Sequence, residues 1–234
     1  QYFARAAARA LRFPEVVVGH DPRESSPVLA RAVIDGFRAE GVSVVDLGMA
    51  PTPAVAHAAA VRGSGAAAIT ASHNPYTDNG LKFFGVGGVK LGDTDEAAIQ
   101  RYYEAFVADE AQFVEFDEPA PALSLAEYVA HVVASGADVK PGMRVVVDCA
   151  NGAMSNVAAD VFSALRIDAT VYNAEPNGTN INVGCGAAHP ERLADLVVRH
   201  DCDLGIAFDG DGDRLIAATP SGTIVDGDHI IAIA

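Results

Sequence analysis

The sequence predicts two consecutive α/β domains, each a mostly parallel sheet covered by helices. Short β-branched runs alternate with stretches of helical apolar period along almost all of the 234 residues. An acidic, proline-bearing stretch at 108–122 interrupts this alternation, and the same alternation resumes behind it. Strand–helix–strand order places parallel strands side by side and requires helices to cover them. The boundary falls in the acidic stretch and gives domains of residues 1–115 and 116–234. The shared pattern suggests a duplicated architecture, although identity between the halves is too low to define a sequence repeat.

Residues 1–11 carry Arg5 and Arg9 among alanines and read as an amphipathic helix cut from something longer, not as a signal peptide. A strand is expected at 15–19. Ser26 and Pro27 then open a helix, with Ser26 as N-cap and Pro27 in the first turn. Its expected buried stripe is Val28, Leu29, Ala32, Val33, Gly36 and Phe37, and Gly41 closes it. A strand at 42–47, a helix at 54–61 ended by Gly63, strands at 66–70 and 81–84, and a helix at 95–107 complete the first half. The second half reads as helix 125–134, strand 144–149, helix 157–165, strand 169–173, loop 175–189, helix 190–200 and strand 204–208. The chain ends mid-pattern on Ile-Ile-Ala-Ile-Ala and is expected to be a fragment or the ordered part of a longer protein.

Half of the residues are hydrophobic and a fifth are charged, enough apolar material for a core. A net charge of −15 argues against nucleic acid and anionic membrane as partners, since both reward clustered Lys and Arg. No run approaches the ~20 apolar residues that a bilayer span needs. Cys149, Cys185 and Cys202 are odd in number and widely spaced, without a CxxC. They point to a reducing cytosol, with no disulfide framework and no zinc cluster. Each is expected to be a small buried hydrophobe.

In an open parallel sheet, ligands bind beyond the carboxyl ends of the strands. That rule selects two loops. One reads Asp209-Gly210-Asp211-Gly212-Asp213-Arg214. Its glycines let the backbone curl, so that three carboxylates converge on one hard cation. Without a cation their charges repel, and all-oxygen ligands favour Mg²⁺ or Ca²⁺ over zinc. An EF-hand is excluded, because Arg214 stands where its Gly and Pro220 where its Glu would be. The blander alternative is a solvated acidic turn. The other loop reads Thr70-Ala71-Ser72-His73-Asn74-Pro75, then Asp78-Asn79-Gly80-Leu81-Lys82-Phe83-Phe84. Ser72 is its candidate nucleophile; alternatively Ser72, Asn74 and Asp78 only cap turns. No G-x-S-x-G elbow supports a serine hydrolase. Gly85-Val86-Gly87-Gly88 matches neither the P-loop nor the dinucleotide fingerprint.

These two loops resemble the signature loops of the α-D-phosphohexomutases. The resemblance extends from Val16-Val17-Val18-Gly19-His20-Asp21-Pro22-Arg23 to Val225-Asp226-Gly227-Asp228. Within the family, Asn180-Ile181-Asn182-Val183-Gly184-Cys185-Gly186, the following His189-Pro190 and the 78–84 stretch are similar to the bacterial phosphoglucosamine mutases. The resemblance implies two three-layer α/β/α domains out of a family total of four. It implies an isomerase that interconverts glucosamine 6-phosphate and glucosamine 1-phosphate through phosphorylated Ser72 and a bisphosphate. That reaction would feed UDP-N-acetylglucosamine and cell-wall synthesis in the cytoplasm.

Asp209, Asp211, Asp213 and a phosphoserine oxygen on Ser72 would hold Mg²⁺, which neutralises charge on the transferring phosphoryl. Lys82 would offset phosphoryl charge or shuttle the Ser72 proton; the alternative is a snorkelling strand lysine. Arg214 would grip a substrate phosphate or pair with its own acidic loop. His73 would act in catalysis or only as a hydrogen-bonding support. Arg23 and the 180–186 loop are taken as structural. A homodimer is left open. The alternatives are a phosphomannomutase or phosphoglucomutase, or a non-catalytic metal-binding scaffold. Because the three carboxylates repel, replacing Asp211 by Ala is expected to leave metal-free stability unchanged or slightly raised, and to remove the stabilisation by Mg²⁺.

Overall fold

In the computed structural model, which describes residues 1–233, the strands form two five-stranded sheets. The first half runs α1 (Tyr2–Leu11), β1 (Glu15–His20), α2 (Ser26–Ala39), β2 (Ser43–Met49), α3 (Thr52–Arg62), β3 (Gly65–Ile69), β4 (Leu81–Gly85), β5 (Val89–Lys90) and α4 (Asp93–Ala108). The second half runs α5 (Ala126–Ser135), β6 (Arg144–Asp148), α6 (Ala158–Ala164), β7 (Asp168–Tyr172), α7 (Pro190–His200), β8 (Leu204–Phe208), β9 (Leu215–Ala218), β10 (Ile224–Val225) and α8 (Gly227–Ile233). We call each sheet with its helices a module.

The two sheets share one topology. Their strand orders are β2-β1-β3-β4-β5 and β7-β6-β8-β9-β10. In each, three parallel strands are followed by two antiparallel ones. The β-branched runs fill the middle of the parallel part. Val16, Val17 and Val18 of β1, and Val145, Val146 and Val147 of β6, are all buried, as strands covered on both faces require. β3 is built from Gly65, Ala66, Ala67, Ala68 and Ile69, all buried. A Cβ on Gly65 would stand 2.6 Å from the ring of Phe13, so the small residue admits the aromatic. Likewise a Cβ on Gly36 would meet Gln1 O at 2.7 Å, which lets α1 cross α2 closely. The alanines of α1 pack there, with Ala4, Ala6 and Ala7 fully buried.

Two expectations for α2 are corrected. Its N-cap is Ser25, without a side-chain cap bond. Ser26 lies in the first turn, where its Oγ donates to Asp21 Oδ1 at 2.7 Å. Of the expected stripe, Val33, Gly36 and Phe37 are buried, and Ala30 and Ile34 join them. Val28 and Leu29 are exposed. The expected face therefore holds in the second half of the helix and fails in its first turn, where Ala30 faces the core instead. The short strands β5, β9 and β10 and the helix α8 were not anticipated, because runs this short carry little periodicity.

The acidic stretch is mostly exposed, but its backbone is tied to the first module. Asp46 of β2 donates its N–H to Pro121 O at 2.9 Å and accepts from Leu123 N at 2.7 Å. Arg38 donates to Glu118 O and Pro119 O.

α3 and α5 meet across the two modules. The His57 and His131 rings stack 4.3 Å apart, and the Tyr128 ring lies 5.9 Å from His57. His57 Nε2 is buried with no hydrogen-bond partner among the described residues. Burial, and then the nearby His131, hold the imidazole below its ordinary 6.5 against the pull of Glu127. A base held neutral stabilises the fold fully above its unfolded pKa. That stabilisation falls as pH drops below 6.5, because the unfolded chain then binds a proton that the folded one resists. Substituting His57→Leu should therefore flatten the melting-temperature profile between pH 7 and about 5. Thermal melts read this, and an unchanged slope would contradict the stacked-pair account.

Candidate active site

The loops after β3 and β8, equivalent strands of the two sheets, meet at one place. Ser72 Oγ donates to Asp209 Oδ2 at 2.5 Å, across 137 residues of sequence. Asp209, Asp211 and Asp213 bring carboxylate oxygens within 4.8 Å of one another. Asp209 and Asp211 are buried and Asp213 is exposed. Gly212 takes φ +71°, the left-handed conformation that folds this run back on itself.

Several groups hold the aspartates. Lys82 Nζ on β4 donates to Asp211 Oδ2 at 2.7 Å and to Asp213 Oδ2 at 3.1 Å. Thr52 Oγ1 donates to the same Asp211 oxygen at 2.6 Å, and its backbone N–H donates to Asp211 O at 2.9 Å. Thr52 opens α3, so the positive end of that helix dipole lies at Asp211.

This support divides the aspartates electrostatically. Asp209 is pushed up to about 6, chiefly by burial and further by the charges of Asp211 and Asp213, against the Ser72 hydrogen bond. Asp211 is buried too, which works upward, but hydrogen bonds from Lys82 and Thr52 prevail and hold it low. Burial works to lower Lys82, and its two aspartate partners prevail, so the ammonium is held charged. One buried acceptor remains over. Asp211 Oδ1 has no hydrogen-bond partner among the described residues. An orphaned buried oxygen beside two further carboxylates and a hydroxyl suits a hard divalent cation with all-oxygen ligands.

The Ser72 backbone is as constrained as its side chain. Its φ is +52°, strained for a residue with a Cβ. Its N–H donates to Thr70 Oγ1 at 2.9 Å, and Thr70 Oγ1 donates to Asp21 Oδ2 at 2.7 Å. Arg23, fully buried, pairs with Asp21 at 2.7 Å. It also donates to the carbonyls of Ser72, Asn74, Pro75 and Asp78. Asp21 and Arg23 follow β1, and Ser72 follows β3, on the two sides of the topological switch point.

The structure thus brings together Ser72, Lys82, Asp209, Asp211 and Asp213. His73 is exposed and makes no hydrogen bond among the described residues. Arg214 is also exposed, and its guanidinium stands 3.9 Å from Asp213 Oδ1. Sequence reasoning missed Thr52 and did not aim Arg23 or Asn182, although the segments carrying the last two had been noted. A burial signal for Arg23 existed only in its short spacing from Asp21.

Two α/β modules join a serine hydroxyl to an oxygen-only acidic cluster, a donor set of the kind that suits a hard divalent cation. The comparisons with known proteins are more specific. Residues 1–108 match the phosphoglucomutase/phosphomannomutase α/β/α domain I family, and residues 126–222 match its domain II. The chain belongs to the phosphoglucomutase/phosphomannomutase family, as its two loops led us to expect.

A phosphoglucosamine mutase of Brevibacillus brevis is 42% identical over 225 residues, which are 94% of this chain and 50% of that protein. One of Frankia casuarinae is 44% identical over 227 residues, 94% of this chain and 49% of that protein. The chain spans about half the length of the curated relatives it matches. A crystal structure of a phosphoglucomutase/phosphomannomutase family protein from Burkholderia thailandensis superposes with a TM-score of 0.73 at 32% identity, covering 95% of this chain and 51% of that one.

The geometry reassigns the stability expectation made for Asp211. Relief of repulsion belongs to Asp209, whose pKa is raised, whereas Asp211 is the member that Lys82 and Thr52 stabilise. A carboxyl with a raised folded-state pKa costs stability as pH rises from its ordinary 3.8 through about 6. Without metal, Asp209→Asn should therefore melt higher than wild type at pH 7 and equally at pH 4. Asp211→Ala should instead lose about 1–3 kcal/mol, since it strands a lysine and a threonine. Both variants should lose the upward Mg²⁺ shift of wild type. Calorimetric melts with and without Mg²⁺ decide this, and equal Mg²⁺ shifts in all three proteins would contradict the ion site.

Proposed function

We propose that this protein is a Mg²⁺-dependent phosphosugar mutase acting on glucosamine 6-phosphate and glucosamine 1-phosphate, with Ser72 as the phosphoryl carrier. The observation that carries the reading is the 2.5 Å hydrogen bond joining Ser72 Oγ to Asp209, with Asp211 and Asp213 beside it. The relatives named phosphoglucosamine mutase support the choice of sugar. We place the two domains at residues 1–115 and 116–234, so that the site lies at their seam. A cytoplasmic location accords with three free buried cysteines and with the fact that no helix among the described residues is long and apolar enough to cross a membrane.

Asp209, Asp211, Asp213 and an oxygen on Ser72 would hold Mg²⁺. When bound, the ion supplies charge neutralisation for the phosphoryl group in flight. The remaining work belongs to the chain. The Thr70, Arg23 and Asp21 network fixes the strained Ser72, so that its Oγ faces the acidic cluster. Phosphorylated Ser72 gives its group to a sugar hydroxyl: the P–O bond to Ser72 breaks, a P–O bond to the sugar forms, and the hydroxyl proton passes to Ser72 Oγ. The bisphosphate reorients, and its other phosphoryl returns to Ser72 by the reverse exchange. No water is consumed. Because Lys82 is held charged, we assign it to offsetting phosphoryl charge; taking the proton of an attacking hydroxyl would need it neutral. The exposed His73 and Arg214 are free to meet a substrate phosphate, and we assign them to that role.

Coupled assays on the full-length gene product with glucosamine, mannose and glucose phosphates test the substrate. Glucosamine phosphate should be preferred by more than about tenfold in kcat/KM, a difference of roughly 1.4 kcal/mol in transition-state binding. A comparable preference for mannose or glucose phosphate would overturn the sugar assignment. Ser72→Ala should lose activity by about a thousandfold or more, as removal of a covalent nucleophile does. Retained turnover would overturn the carrier.

A further inference from the structure

Asn182 lies in the loop before α7, in the module that carries the aspartates. Its Nδ2 donates to Ser72 O at 2.9 Å and to Asn74 O at 3.2 Å, in the other module. These are the same carbonyls that Arg23 Nη2 reaches at 2.9 and 3.0 Å. The two donors differ in what they are anchored to. Arg23 belongs to the module of Ser72 and fixes the shape of the loop. Asn182 belongs to the module of Asp209. Its backbone N–H donates to Ala150 O at 2.9 Å, just beyond β6. At φ +60° it adopts a left-handed conformation that asparagine tolerates.

The fit between these groups has no slack. A Cβ on Gly210 would stand 2.6 Å from Ser72 O and 2.9 Å from Asn182 Nδ2. The aspartate loop therefore presses directly on the peptide that Asn182 holds. Ser72 itself is in a strained conformation, and such a conformation persists only where its surroundings over-determine it. With Thr70 on its N–H and Arg23 and Asn182 on its C=O, the peptide is held from both sides of the seam.

We propose that Asn182 is a positioning residue for phosphoryl transfer: through the carbonyls of Ser72 and Asn74, its amide ties the reacting serine to the body that carries the aspartates and sets where Ser72 Oγ points. The inference rests on the mutase reading. It adds that alignment of the two modules reaches the nucleophile through this side chain. A misplacement of about 1 Å at a reacting atom costs on the order of 10²-fold in rate, so a donor this close to the nucleophile has kinetic leverage beyond its part in packing.

The test is the rate at which Ser72 of the full-length protein takes a phosphoryl group from glucose 1,6-bisphosphate in the presence of Mg²⁺, followed by intact mass. In that step a P–O bond to the sugar breaks as one to Ser72 Oγ forms, and the serine proton ends on the sugar oxygen. Wild type should gain one phosphoryl group and Ser72→Ala none. Asn182→Ala, and Asn182→Asp, which keeps the shape but loses the donor, should react about 10- to 100-fold more slowly. Both should retain the Mg²⁺-dependent rise in melting temperature that reports an intact acidic site. Folded variants that react at the wild-type rate overturn the positioning role, even if they melt lower. If wild type itself takes no phosphoryl group, the mutase reading fails first, and that result is distinct. Should either variant fail to melt cooperatively, Asn182→Gln carries the test, since it keeps an amide donor displaced by one methylene. Slowed transfer in that folded variant supports the role, and an unchanged rate overturns it.

Discussion

Three carboxylates within 4.8 Å of one another form a concentration of negative charge that the surrounding structure must offset. Each nearby group answers to it. Lys82 spans Asp211 and Asp213, and Thr52 gives Asp211 both a hydroxyl and the start of a helix. Asp209 receives the Ser72 hydroxyl and the N–H of Arg214, which leaves its pKa near 6. The compensation is therefore uneven. Asp211 is held low by protein groups, with one oxygen orphaned among the described residues, while Asp209 is held high by burial and by its two neighbours. In a chain of net charge −15, this is a local demand for positive charge that no surplus of basic residues meets.

The repeated topology explains why serine and aspartates meet. β3 and β8 occupy the same place in their sheets, each beside the strand where the order reverses, and each is followed by an antiparallel return strand. Joining the two modules brings together two loops that would each be an ordinary ligand loop of an open α/β sheet. Glycine is then required where backbones touch. Gly210 is the clearest case, because the Ser72 carbonyl occupies the space of its missing side chain. In the proposed reading the reaction would lie at the seam, so whatever aligns the modules would also align the chemistry.

Much of this was readable in the residues. The β-branched runs became buried central strands, because periodicity and length alone separate them from the helices. The run from Asp209 to Arg214 and the loop around Ser72 stood out through residue type and spacing, and the structure brings them together. What stayed hidden depends on partners remote in sequence. Thr52 looks like a helix-opening residue until Asp211, 159 positions away, is placed against it. Arg23 reads as structural but without a partner in view; it is fully buried, because four carbonyls and Asp21 take up its donors. Asn182 sits in a loop without periodicity, and only the closure of the two modules aims its amide. At α2 the expected face holds at Val33, Gly36 and Phe37 and fails at Val28 and Leu29, because in the first turn the packing against the sheet chooses among neighbouring apolar residues.

The central claim is that the Ser72 oxygen and the aspartates of the other module would together hold one divalent ion. The most direct measurement is the ³¹P resonance of protein phosphorylated on Ser72, titrated with Mn²⁺ in place of Mg²⁺. An ion coordinated by the phosphoserine and Asp209 should broaden that resonance beyond detection near one equivalent, and Asp209→Asn should abolish the effect at the same concentration. A phosphoserine resonance that stays sharp through saturation, or broadens equally without the Asp209 carboxylate, would contradict a shared site across the seam.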